Sequence, residues 1–144
     1  MAISQSMCTS FKVGLLDGQF NFGEGTSQTF YIALYYDLAT LSAATTAYTT
    51  EGEVVGTGYT AGGKQLTISQ APTSTGTTAF LNFSNASWPS ATLTARAALI
   101  YLRNGTTNPA IAVLDFGSNK VANNSTFTIT FPVSDASNAL IRIA

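Results

Sequence analysis

The stretch GYTAGGKQLT, residues 58–67, combines residue types that bind phosphate in many nucleotide-binding proteins. Its first glycine is followed after four residues by Gly63 and Lys64, which is the glycine and lysine spacing of a phosphate-binding loop. That loop needs Ser or Thr after the lysine to hold magnesium, and this chain has Gln65 there. The following residues alternate apolar and polar, which indicates a strand and not the required helix. The stretch therefore predicts a hairpin turn at 61–63 that joins two strands.

Catalytic chemistry has few candidate residues in this chain. There is no histidine, which removes the most common general base, and the single cysteine lacks an activating partner. Glu51 and Glu53 are two residues apart, so an extended backbone points both carboxylates the same way, as in the acid pair of a glycosidase. The simpler interpretation is a pair of exposed acids at the start of a strand. Asp115 follows an apolar segment, and we expect it to cap a turn or to pair with an arginine.

Two further features are candidates for a binding surface. Arg96 lies among apolar residues of a predicted strand, where an unpaired buried charge is costly. It is expected to pair with a carboxylate, to reach across a subunit interface or to lie on a solvent-exposed face. Six aromatic residues could stack on sugar rings, although such residues in a small sandwich more often belong to the core; they are Tyr31, Tyr35, Tyr36, Tyr48, Tyr59 and Trp88.

The composition favours association with other proteins. Charged residues make up only 9% of the 144 residues, against about 25% in an average protein. The net charge is −1, so repulsion between copies is weak. The six basic residues are scattered, and we therefore expect no nucleic-acid binding. No signal peptide or membrane-spanning run is visible, and no cofactor or metal site is expected.

One helix is expected at residues 3–16, within an N-terminal segment that spans residues 1–17. Ser4 could cap its start and Gly18 could end it. Apolar side chains recur there every four residues, at Ile3, Met7, Phe11 and Leu15.

The rest of the chain predicts about eight or nine strands separated by turn residues. The strands are expected at 29–36, within a hairpin at 53–70, and at 78–83, 91–103, 110–116, 125–131 and 139–144. Loops are expected at 38–50, 71–77, 103–109 and 117–125, with a turn at Trp88 and Pro89. This spacing predicts an all-β fold, a two-sheet antiparallel sandwich or jelly roll, in a single domain that spans residues 1–144.

Several specific motifs follow one another along the chain. It begins MAISQSMCTSFK and continues with FYIALY and TTAYTTEGEVVGTGYTAGGKQLT. ATLTARAALIY, NPAIAVLDFGSNK and the ending TFTITFPVSDASNALIRIA come later. This order resembles a group of small structural proteins encoded by tailed bacteriophages, over almost the whole chain. The most specific pieces are GTGYTAGG, TARAALIY, AVLDFG and IRIA.

The resemblance implies a non-enzymatic capsid decoration, or cement, protein that stabilises the phage head by binding neighbouring subunits of the major capsid protein. We expect it to self-associate as a homotrimer and to lie on the capsid surface after synthesis in the bacterial cytoplasm. The alternatives are a neck, tail or fibre component, a glycan- or receptor-binding module, and a small hydrolase that uses carboxylates. The expected contact regions are the N-terminal segment and loops 38–50 and 71–77. The candidate interface residues are Phe11, Leu15, Tyr48, Trp88 and Arg96.

Overall fold

The computed structural model describes residues 2–144, which form eight strands and one helix. In chain order these are β1 (Ser6–Met7), α1 (Thr9–Leu16), β2 (Phe30–Tyr35), β3 (Lys64–Gln65), β4 (Ile68–Thr75), β5 (Thr78–Phe83), β6 (Ala86–Leu102), β7 (Ala110–Ile129) and β8 (Ile141–Ile143).

The strands form two antiparallel sheets. The five-stranded sheet has the order β1-β7-β6-β2-β3, and the three-stranded sheet has the order β4-β5-β8. The predicted all-β, two-sheet fold with a short helix near the N-terminus is therefore confirmed. The first strand pairs with β7, and the last pairs with β5, so both ends of the described chain are held by distant segments.

β6 and β7 form a long, bent hairpin of 17 and 20 residues. The predicted turn at 88–89 and the predicted loop at 117–125 lie inside these two strands, so both predictions were wrong. The ladder shifts register at irregular points, and Ser90, Gly117 and Asn124 have positive φ angles of 50°, 81° and 47° near them. A β-bulge uses the same residue types as a turn, so these residues bend the strands instead of ending them.

Because bulges bend β7 without ending it, two predicted strands form one continuous strand. Segments 110–116 and 125–131 were expected to be separate, and β7 runs through both. The loop predicted at 71–77 is also mostly strand, because β4 continues to Thr75. Pro72 is tolerated there because β4 is an edge strand and its pairing with β5 is irregular at this point.

The helix is shorter than expected. α1 begins at Thr9 and not at residue 3, and its N-cap is Cys8 instead of Ser4. The preceding residues pair with β7 as β1, because tertiary strand pairing outweighs a weak local helical pattern. α1 ends at Leu16 with Asp17 as its C-cap, and Gly18 follows with a φ of 76°, as the sequence predicted.

Phenylalanine rings connect the helix to both sheets. Phe22 stacks on Phe30 of β2, with ring centroids 4.5 Å apart, and Phe11 of α1 lies 6.0 Å from Phe22. Phe83 of β5 lies 6.2 Å from Phe30 and 6.1 Å from Phe131. These residues belong to one buried cluster, which therefore spans the space between the sheets.

Candidate functional site

The glycine-rich turn at 60–63 packs against the protein itself. A Cβ atom at Gly63 would collide with the backbone of Ile32 in β2, and Gly63 has a φ of 82°. The predicted hairpin was wrong, because β3 pairs with β2 and not with the segment before the turn. Lys64 donates to the Ser87 carbonyl, with its Nζ 5.8 Å from the centre of the Trp88 ring. The turn therefore positions β3 against β2, and Lys64 connects β3 to Ser87 of β6.

Glu53 is buried, with 7% of its surface exposed, so the expectation of an exposed acid was wrong for this residue. Its Oε1 accepts a hydrogen bond from the Tyr48 hydroxyl at 2.6 Å. Its Oε2 accepts bonds from the Tyr59 hydroxyl and the Gly62 N–H, both at 2.7 Å. Glu51 is exposed, so the two carboxylates do not form an acid pair. Gly52, with a φ of 78°, turns the chain between them.

Tyrosine hydroxyls extend this polar cluster to the sheet. Tyr59 Oη accepts a bond from the Leu34 N–H at 2.9 Å, and Tyr101 donates to the Gly62 carbonyl at 2.6 Å. Burial raises the pKa of Tyr59 well above its usual range, and the hydrogen bond to Glu53 raises this pKa further. Burial also raises the pKa of Tyr101 to about 12. The hydroxyls are therefore neutral donors that hold the 48–62 segment on β2 and β6.

Arg96 and Asp115 form an ion pair, with Nε and Oδ1 2.9 Å apart. Asp115 Oδ1 also accepts the Gly117 N–H at 2.9 Å, so it both pairs with an arginine and caps a bend, as the sequence predicted. The hydrogen bond from Arg96 lowers the pKa of Asp115, and the same bond raises the pKa of Arg96. Arg96 is partly exposed, and its charge is balanced within the chain.

Cys8 is a buried packing residue. Burial raises the pKa of its thiol to about 11, which disfavours the reactive thiolate. Its Sγ lies 3.9 Å from the Ser42 carbonyl oxygen, which it contacts as a weak donor.

The five candidate interface residues are not gathered at one place on the surface. Phe11 is fully buried and Trp88 is 4% exposed, so both side chains pack inside the protein. Trp88 lies 6.1 Å from Tyr59 and 6.0 Å from Phe127, measured between ring centroids, and its faces are not free to stack on a sugar. Tyr48 is half-buried and is held by Glu53. Phe11 and Leu15 both line a surface hollow, and of these two only Leu15 is partly exposed.

One surface hollow follows β7. We call it the edge hollow; its volume is about 550 Å³. Val121 stands at its border with 70% of its surface exposed. The hollow has a mixed lining of apolar side chains, threonines and the charged Asp115 and Lys120; the apolar ones include Leu114, Phe116, Phe127, Ile129, Phe131 and Leu140.

A second hollow of about 320 Å³ lies between α1 and the three-stranded sheet. We call it the helix hollow; its apolar lining includes Leu15, Phe80, Ile141 and Ile143. Leu16, which follows Leu15 at the end of α1, is 91% exposed and does not line the hollow. The sequence patterns predicted neither hollow: segments far apart in the chain form the walls of the helix hollow, and the edge hollow depends on the bends of β7 and on Gln5 and Leu140 lying beside it.

Within residues 2–144 we find no group of three or more His, Cys, Asp or Glu side chains arranged to hold a metal ion. In the same part of the chain, no helix has the length and apolar character needed to cross a bilayer. Comparisons with protein-family models, curated proteins and solved structures found no match to this chain.

Proposed function

We propose that this chain is a non-enzymatic structural protein of a tailed-phage virion that decorates the capsid and binds neighbouring subunits of the major capsid protein. The observation that carries the proposal is a surface poor in charge that presents exposed apolar side chains around two hollows. Apolar anchors in a weakly charged setting are typical of surfaces that bind other proteins. The assignment to a virion rests on the resemblance of the motifs GTGYTAGG, TARAALIY and AVLDFG.

The polar side chains bind to other groups of the same chain, which supports a structural role. Both oxygens of Glu53 accept hydrogen bonds from the protein, and Arg96 is paired with Asp115. The side chains that could have done acid–base chemistry therefore hold the scaffold rigid. A rigid scaffold loses little conformational entropy when it docks, which suits a protein that binds many identical sites on a shell.

The first experiment locates the protein in intact particles of a phage that encodes it. Cryo-electron microscopy is expected to show many copies spread over the capsid surface. A single ring at one vertex would instead favour the neck or tail alternative, and copies confined to a fibre would favour a fibre component.

Particles assembled without the protein are expected to lose DNA at a lower temperature than complete particles. Equal heat resistance with and without the protein would contradict a cementing role.

A second experiment tests which surface binds the capsid. Ile143→Lys adds a charge to the wall of the helix hollow, and it leaves the core unchanged because Ile143 is 53% exposed. We expect this variant to bind protein-free capsids at least tenfold more weakly than the unchanged protein. Val55→Lys is the matched control, because Val55 is 83% exposed and lines neither hollow. Equal binding by both variants would exclude the helix hollow as the contact.

The glycan-binding alternative needs a different test from Trp88→Ala. Trp88 is buried, so its removal is expected to disturb folding whether or not the protein binds a sugar. A glycan array probed with the unchanged protein separates the alternatives directly. Saturable binding to a defined sugar would favour the receptor-binding module, and its absence would count against that alternative.

A further inference from the structure

Arg103 follows the end of β6 and lies exposed beside a group of tyrosines. Its guanidinium carbon lies 4.6 Å from the centre of the Tyr31 ring, which is a cation–π contact. Its Nη1 and the Tyr101 hydroxyl lie 3.1 and 3.5 Å from the point where a Cβ atom of Gly62 would stand. Tyr48 stacks on Tyr101, with ring centroids 4.8 Å apart. We call Arg103, Tyr31, Tyr48 and Tyr101 the arginine–tyrosine cluster.

The surroundings of Arg103 restrict both its backbone and its side chain. The Arg103 N–H donates to the Thr29 carbonyl at 2.9 Å, and the Thr29 hydroxyl donates to the Arg103 carbonyl at 3.2 Å. The guanidinium packs against the Tyr31 ring and against the turn at Gly62, where the absence of a side chain leaves space for it. An arginine that is already ordered loses less rotamer freedom when it binds a partner.

The positive charge of Arg103 is not neutralised by an ion pair. Among residues 2–144, no carboxylate oxygen lies within 4.0 Å of its side-chain nitrogens. Both oxygens of the buried Glu53 already accept hydrogen bonds from other groups. The loop segments that adjoin the cluster, residues 57–62 and 104–109, contain no charged residue. A guanidinium that stacks on an aromatic ring keeps its in-plane N–H donors available, and their fork matches the two oxygens of a carboxylate.

The cluster and the helix hollow lie on opposite faces of the five-stranded sheet. Phe30 of β2 belongs to the buried core and stacks on Phe22, which lines the helix hollow. Tyr31 is the next residue of β2, and successive side chains of a strand point to opposite faces. A protein that joins two neighbouring capsid subunits needs two separate contact surfaces, and these two faces can supply them.

We propose that the arginine–tyrosine cluster is a contact surface for the capsid protein, on which Arg103 binds the carboxylate of an Asp or Glu side chain. This inference rests on the proposed function and adds the chemistry of the group that is recognised. Because the adjoining loops are uncharged, Arg103 sets the local electrostatic attraction, and an acidic group is complementary to it. Arginine and tyrosine are enriched among the residues that contribute most to binding at protein interfaces. Tyr48 is also one of the interface residues expected from the sequence.

Binding of variants to capsids that lack the protein tests this inference. Arg103→Gln removes the charge and is expected to weaken binding at least tenfold. Arg103→Lys keeps the charge but not the fork of donors, so its binding is expected to be intermediate. Lys12→Gln is the matched control, because it removes the same charge from an exposed residue that lines neither hollow. This control is expected to bind within about twofold of the unchanged protein.

Competition gives a second measurement that needs no variant. Polyglutamate is expected to compete with the capsid for the unchanged protein, and polylysine of the same length is not. Polyphosphate is the comparison for the other anion that a guanidinium fork binds well. Competition by polyphosphate but not by polyglutamate would overturn the assignment to a carboxylate.

The outcomes separate this inference from the proposed function. If the unchanged protein binds capsids and Arg103→Gln binds equally well, the inference is overturned and the proposed function is not. If the unchanged protein does not bind capsids, both are overturned. Equal losses of binding in Arg103→Gln and Lys12→Gln would show that net charge is responsible and would also overturn the inference. Near-UV circular dichroism checks that each variant is folded.

Discussion

Glu53 stabilises the protein through the three hydrogen bonds that its carboxylate accepts. Glu53→Gln keeps the shape of the side chain but points an NH₂ group at donors such as the Gly62 N–H. We expect the free energy of unfolding to fall by about 2–4 kcal/mol, measured by urea denaturation. Glu51→Gln is the control, since Glu51 is exposed, and is expected to change it by less than about 0.5 kcal/mol. Equal effects of the two changes would contradict the buried role of Glu53.

Four tyrosines that are wholly or partly buried predict a loss of stability in alkaline solution. Their pKa values are raised above the ordinary value of 10.0, chiefly by burial, so the folded protein keeps protons that the unfolded chain releases. The stability that they contribute is therefore fully present below pH 10 and declines as the pH rises above it. The groups concerned are Tyr35, Tyr48, Tyr59 and Tyr101.

Absorbance of tyrosinate measures this effect directly. In the folded protein these four side chains are expected to ionise only when the chain unfolds, in one cooperative step above pH 10. The urea-unfolded protein is the control, in which all six tyrosines ionise together near pH 10. A folded protein that titrates all its tyrosines smoothly near pH 10 would contradict the buried hydrogen-bonded cluster.

Individual side-chain roles were predictable where the partners lie on neighbouring strands. Arg96 and Asp115 are close because β6 and β7 form one hairpin, and a carboxylate partner was one of the three outcomes expected for an arginine among apolar residues. The burial of Glu53 was not predictable, because it depends on the turn at Gly52 and on Tyr59 folding back onto β2. The alternation of apolar and polar residues describes a single extended segment. It gives no information on where the chain turns back onto another strand.

At the scale of elements, the turn before β3 depends on glycine. Gly63→Ala is expected to lower the free energy of unfolding by about 3 kcal/mol or more, because the new methyl group meets the Ile32 backbone and alanine is strained at a φ of 82°. Gly76→Ala is the control, with a φ of 61° and open space around its Cβ position. It isolates the backbone strain and is expected to cost about 1–2 kcal/mol. Similar losses, measured by thermal unfolding, would mean that close packing at Gly63 is unimportant.

Strand positions followed from the sequence more reliably than strand ends and partners. The segments at 29–36 and 78–83 were placed within one residue at each end, since both are short runs rich in apolar and aromatic residues with polar residues on either side. Residues 117–125 were misassigned because glycine and asparagine favour both turns and bulges, and the choice depends on whether a partner strand continues alongside. Both hollows depend on how distant segments pack together, which local patterns do not encode.

At the scale of the whole molecule, the buried cluster makes the two sheets depend on each other. Ile141 of β8 is buried in the same cluster as Phe30 of the other sheet. Ile141→Ala is therefore expected to lower the free energy of unfolding of the entire chain by about 2–5 kcal/mol. Trp88, the only tryptophan, reports on the five-stranded sheet by fluorescence, and circular dichroism reports on all strands.

We expect the two signals to shift together in Ile141→Ala, with one midpoint in urea, as a single cooperative domain requires. Ile143→Ala, on the same strand but 53% exposed, is the matched control and is expected to change the midpoint much less. If the fluorescence of Trp88 kept its original midpoint in Ile141→Ala, the three-stranded sheet would unfold as a separate unit. The shared core makes one joint transition the expected outcome, because removing buried volume from either sheet weakens the packing of both.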